Sequence, residues 1–139
     1  RRSSDLVGFG IAQPALTDLL NRIRQPFNVN SLAQAAAVAA LADDVYLQKS
    51  AAINAEGYAQ LTSAFDQMGI EYVPSFGNFV LFRAGSNDAA GSRVNLALLK
   101  RGIIVRPVGN YGLPQWLRVS IGLPQENAAF LDALKAVLA

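Results

Sequence analysis

Two arginines and the loop between them are the residues of this chain best suited to chemistry. Arg118 interrupts the alternation Leu117, Val119, Ile121, so it faces away from the apolar side of a half-buried strand. Arg106 follows the apolar triplet 103–105, and Asn110-Tyr111-Gly112 lies in the loop between the two arginines. A guanidinium fork donates two parallel hydrogen bonds to a carboxylate or a phosphate, so two forks near one loop could clamp such an anion. The competing reading is a pair of solvated cations on a strand face. Asn78, directly after Gly77 and ahead of Phe79, Val80, Leu81 and Phe82, either donates to a ligand or orders a turn. Asn28 and Asn30, just beyond Phe27, carry the same two readings, and Asn30 also suits the cap of a helix.

The remaining inventory excludes whole classes of chemistry for this stretch of 139 residues. It contains no Cys and no His. That removes disulfides, thiol nucleophiles, zinc ribbons and any Ser-His-Asp relay. The carboxylates form no acid/base pair: Asp43-Asp44 suit a helix cap, and Glu126 suits a first helical turn, where negative charge is favourable. Gly8-Phe9-Gly10 lacks the third glycine of a dinucleotide loop. Lys and Arg number 12 against 10 Asp and Glu, a formal charge of +2 with no basic run beyond Arg1-Arg2, so no nucleic-acid partner is expected. No apolar run approaches the length of a membrane span. The twin-Arg start with residues 6–12 faintly resembles a secretory signal, but Asp5 interrupts it and its apolar run is short. A soluble, cytoplasmic chain is expected.

Elements that could position these residues are readable from periodicity. Residues 7–12 suggest a strand or an extended lead-in. Pro14 opens an amphipathic helix with Leu16, Leu19, Leu20 and Ile23 on one stripe. Ser31 with Gln34 forms a capping-box pattern ahead of an Ala-rich helix to about residue 42, whose small residues imply close packing between neighbours. Asp43-Asp44 cap a long helix to about Met68, stopped by Gly69; Gly57 inside it should cost about 1 kcal/mol relative to Ala. Strands follow at 71–73 and 78–82, joined by Pro74-Ser-Phe-Gly77. A helix over 89–101, strands at 103–105 and 117–121, and a final helix from Pro124 complete the order. The expected fold is α+β: a small sheet of about four strands with helices packed on one side, preceded by helices. A boundary is expected near the long helix, with 1–42 set apart from 43–139.

Several segments, in this order, carry a family resemblance. Gln25-Pro-Phe-Asn-Val-Asn-Ser31, Pro74-Ser-Phe-Gly-Asn-Phe79, Gly102-Ile-Ile-Val-Arg-Pro107, Tyr111-Gly-Leu-Pro114 and Leu117-Arg-Val-Ser-Ile-Gly122 resemble the C-terminal part of histidinol-phosphate aminotransferases. These are fold-type-I enzymes that depend on pyridoxal phosphate. The resemblance implies that 43–139 is the small C-terminal domain with its connecting helix, and that 1–42 is a remnant of the large domain and inter-domain helices. It implies that Arg118 binds the substrate carboxylate, that Asn78 lies near the substrate pocket, that Arg106 contacts or supports the site, and that Asn30 lies by the active-site mouth.

The departures from the family pattern matter equally. Where the family has a Ser-Lys pair, whose lysine forms the Schiff base, and a cofactor-phosphate arginine, this chain has Arg1-Arg-Ser-Ser-Asp-Leu6. Lys49, Lys100 and Lys135 read as solvated side chains. The expectation is a C-terminal fragment with no catalytic residue, no metal and no bound cofactor of its own. It would help a pyridoxal-phosphate parent to recognise an amino or oxo acid and to close over it. The partners implied are the missing large domain and a second copy, in a homodimer or higher oligomer, because apolar surface left uncovered promotes association. A self-standing α+β binding or interaction module, or a small anion-binding domain using Arg106 and Arg118, are the alternatives.

Overall fold

The computed structural model describes residues 7–138, which fall into two compact units, one up to Leu47 and one from Gln48. In the first unit, Pro14 starts α1 (Pro14–Ile23) at a position where its missing N–H costs nothing. Arg22 pairs with Asp18 one turn away. Helix α2 spans Ser31–Leu41, and its N-cap is Asn30, whose Oδ1 accepts from Ala33 N at 2.8 Å. The capping box expected at Ser31 and Gln34 therefore does not form; Gln34 Nε2 instead donates to Val29 O. Among the described residues neither α1 nor α2 has a buried residue, so the close packing expected around the Ala-rich helix is not seen within the first unit. Residues 7–12 belong to no helix or strand.

Helix α3 (Asp44–Met68) begins where Asp43 Oδ1 accepts from Tyr46 N at 2.9 Å. It ends at Gly69, left-handed at φ 65°, with Ile70 N closing onto Phe65 O. The second unit takes this helix from Gln48 onward. Four strands follow: β1 (Tyr72–Val73), β2 (Phe79–Arg83), β3 (Arg106–Pro107) and β4 (Trp116–Ser120). They form one antiparallel sheet in the order β1-β2-β4-β3. Helix α4 (Ala90–Leu99) precedes β3, and α5 (Pro124–Leu138) closes the chain. This is the α+β architecture expected, with a small four-stranded sheet.

Strand alternation sorts the sheet into two faces. Val80, Phe82, Leu117 and Val119 turn inward and meet Leu61 and Phe65 of α3, Val94 and Leu98 of α4, and Phe130, Leu131 and Leu134 of α5. Phe65, Phe82 and Phe130 form an aromatic cluster at the centre, with ring centroids 5.2–6.3 Å apart. Gly57 is not a weak point of α3. A Cβ there would meet Ile121 Cγ2 at 2.5 Å and Asn127 Nδ2 at 2.8 Å, so the absent side chain lets β4's exit and α5 close on the helix. The strand expected at 103–105 lies instead at Arg106–Pro107. Ile103 N is committed to Leu98 O at the end of α4, and the pairing with β4 begins only at Arg106.

Candidate functional site

The sheet's other face carries the two arginines. Leu117 and Val119 are buried, and the period of two turns Arg118 between them to the open side, where it is half-buried. Its directly opposed neighbours are Leu81 on β2 and Arg106 on β3. Side chains of directly opposed residues leave the same face with Cβ atoms about 5 Å apart, so the sheet register places two guanidinium stems side by side. Arg106 Nη2 donates to Tyr111 Oη at 3.2 Å. Tyr111 is held in a 3-10 turn, Gly109–Tyr111, that closes on Gly112. The Arg118 guanidinium lies 4.5 Å from the centroid of the Phe79 ring, its diagonal neighbour across β2 and β4.

Charge compensation separates these arginines from a third on the same face. Arg83 donates to Glu71 at 2.8 Å and to Gly85 O at 3.2 Å, and lies over Trp116. Among the described residues, no carboxylate lies within 4.0 Å of Arg106 or Arg118. Like charges set directly opposite one another on a sheet are destabilising. An anion bound between them reverses that cost, so the arrangement suits a carboxylate or a phosphate.

The asparagines stand differently. Asn78 precedes β2 and has the strand parity of Val80 and Phe82, not that of Arg118; its carbonyl accepts from Ile121 N at 2.9 Å. Asn54 of α3, which sequence reasoning passed over, donates to Gly77 O at 3.1 Å and pins the connection before it. Asn30 belongs to the first unit, as the cap of α2, and Asn28 Oδ1 there accepts from Arg24 at 3.3 Å. Phe79 was legible only as a strand residue. The one signal for its role was an aromatic at a position whose parity matches Arg118.

A sequence profile described as "Aminotransferase class I and II" matches residues 6–134. The chain belongs to that family. It is 73% identical over 133 residues to histidinol-phosphate aminotransferase 2 of Ralstonia nicotianae, covering 96% of this chain and 36% of the relative. It is 67% identical to histidinol-phosphate aminotransferase 1 of Cupriavidus pinatubonensis, covering 95% of this chain and 35% of that one. The fold of this aminotransferase-family chain matches a putative aminotransferase from Burkholderia pseudomallei with a TM-score of 0.81 at 30% identity, over 90% of this chain and 38% of the other. It matches the histidinol-phosphate aminotransferase of Sinorhizobium meliloti, solved in complex with pyridoxal-5'-phosphate, with the same score at 27% identity, over 90% and 34%. The chain spans about a third of the length of the curated relatives it matches.

The family implies pyridoxal phosphate, which needs a lysine amine beside a phosphate cradle. The described residues do not supply that set. Lys49, Lys100 and Lys135 are all exposed, on helices or at a helix end. A groove of about 440 Å³ in the first unit is walled by Val7, Phe9, the alanines of α2 and Leu41, with no cationic side chain. Arg24, beside a second cleft, is already engaged by Asn21 and Asn28. No helix among the described residues is long and apolar enough to cross a membrane.

Proposed function

We propose that this chain supplies the substrate-anion grip of a cytoplasmic histidinol-phosphate aminotransferase. Such an enzyme exchanges an amino group between histidinol phosphate and 2-oxoglutarate. The observation that carries the reading is the cross-strand pair Arg106 and Arg118, on one face and without carboxylate partners among the described residues. Arg118 donates its fork to the carboxylate or phosphate of the substrate, and Arg106, steadied by Tyr111, adds the second positive charge. Asn78 and Asn30 border the substrate by the family resemblance. Held at a fixed point by two charged donors, a substrate loses its rotational freedom before reaction, and closure of the second unit over it is the motion this grip would accompany. The three lysines here are exposed and none stands where the family resemblance puts the cofactor-bonding lysine, so on this reading the stretch alone catalyses no transamination.

Titration of the purified chain with inorganic phosphate and with 2-oxoglutarate, followed by calorimetry, tests the reading. Charge-assisted hydrogen bonds are worth about 1.5–3 kcal/mol each, so Arg118→Ala should weaken binding at least about tenfold. Equal affinity in wild type and Arg118→Ala, or glutamate formed by this chain from histidinol phosphate and 2-oxoglutarate with added pyridoxal phosphate, would overturn it.

A further inference from the structure

An arginine that must seize an anion needs two things that conflict. Its long stem has to be held in place, yet its N–H donors have to stay free. Arg83 shows the usual solution and its consequence: Glu71 and the Gly85 carbonyl hold the guanidinium, and those donors are spent. Arg106 spends one donor on Tyr111. Arg118 makes no hydrogen bond and no ion pair among the described residues, and the contact that locates its guanidinium is the face of Phe79, 4.5 Å away. A ring face attracts a cation through its quadrupole and consumes no donor.

Phe79 is itself well anchored for this task. It opens β2 paired with Ser120, one step after Asn78 O receives Ile121 N. Gly77, two residues earlier, is tied to α3 through Asn54. Its ring is about a third exposed, on the face away from the core, and so adds little to the packing that Val80 and Phe82 provide. An aromatic side chain of this size, kept out of the core and under a cation, has a local purpose.

We propose that Phe79 is a positioning residue: its ring holds the Arg118 guanidinium in place while leaving every N–H of the fork available to the substrate anion. The inference rests on the reading of Arg118 as the anion grip, and it assigns the specificity of that grip to a neighbour that never touches the anion through a polar atom. A carboxylate at the same place would hold Arg118 equally well and would compete with the substrate for it.

The test uses the chain labelled with 15N at arginine. In the absence of any anion, the Nε–H proton of Arg118, assigned by its loss in Arg118→Lys, should be shifted upfield by the ring, and Phe79→Leu should return it to the position of a solvated arginine. Inorganic phosphate titrated into Phe79→Leu should bind about two- to fivefold more weakly than into wild type, the range expected of a cation over an aromatic face at an exposed site. Phe79→Tyr, which keeps the ring, should restore both the shift and the affinity. An unshifted Arg118 signal in wild type overturns the proposal without need of any variant, and so does wild-type affinity in a folded Phe79→Leu. If wild type shows the ring shift but binds no phosphate, the anion-grip reading falls, and this role for Phe79 falls with it.

Discussion

Replacing Gly57 by Ala sets two well-characterised effects against each other, and the structure decides the sign. In a helix interior, Ala is favoured over Gly by about 1 kcal/mol. The new methyl, however, would stand 2.5 Å from Ile121 Cγ2 and 2.8 Å from Asn127 Nδ2, with Gly122 O at 3.3 Å. Ile121 is β-branched and stiff at χ1. Asn127 is 2% exposed and fixed at both ends of its amide: Nδ2 donates to Gln60 Oε1 and Gly122 O at 3.1 Å, and Oδ1 accepts from Gly122 N at 2.9 Å. Relief of the contact moves that amide off at least one partner, at about 1 kcal/mol per hydrogen bond. Overpacking adds about 1–3 kcal/mol. The net expectation is a loss of roughly 1–3 kcal/mol, or about 4–24 °C in Tm for a unit of this size. Thermal unfolding followed by the fluorescence of Trp116, buried on β4, reads the change. Ile121→Ala should cost less in the Gly57→Ala background than alone, because the two sites touch. A Tm raised by Gly57→Ala would show that Ile121 and Asn127 yield freely, and the close-approach argument would be wrong.

Two further predictions concern pH and assembly. Burial raises the Tyr72 phenol above its ordinary 10.0, and the nearby Asp66 carboxylate pushes the same way by disfavouring the anion. Because the folded value lies above the unfolded one, the stability it contributes is complete below about pH 10 and is lost as pH rises through the folded value. The difference between wild type and Tyr72→Phe in alkaline tyrosinate absorbance should therefore titrate above 10, and a midpoint below 10 would contradict this. The apolar stripe Leu16, Leu19, Leu20 and Ile23 of α1 is at least half exposed. Exposed stripes of that kind promote association, so light scattering should find a dimer or larger species; a sharp monomer at micromolar concentration would contradict that.

Much of the second unit was legible from local pattern. The long helix stopped by Gly69, the outward turn of Arg118 between Leu117 and Val119, and the apolar stripe of α5 all follow from periods of 3.6 and 2 that need no knowledge of the rest of the chain. Errors gathered where two segments compete for the same backbone group. Ile103–Val105 has the composition of a strand, but Ile103 N goes to the cap of α4. At the start of α2 the expected Ser31–Gln34 box gave way to the Asn30 cap that the sequence also allowed, because the Asn30 Oδ1 reaches Ala33 N.

For the site, the sequence alone determined which side of β4 carries the cation, because the alternation is a property of the strand itself. Only the tertiary structure decided what that cation meets. Register set Arg106 opposite Arg118 and Phe79 diagonal to it, and register comes from pairing between segments separated by a helix and a loop. The same packing turned Gly57 from a weak helix residue into a required gap: helix propensity is a sum over neighbours in sequence, whereas the space at Gly57 is claimed by Ile121 and Asn127, from the far end of the chain.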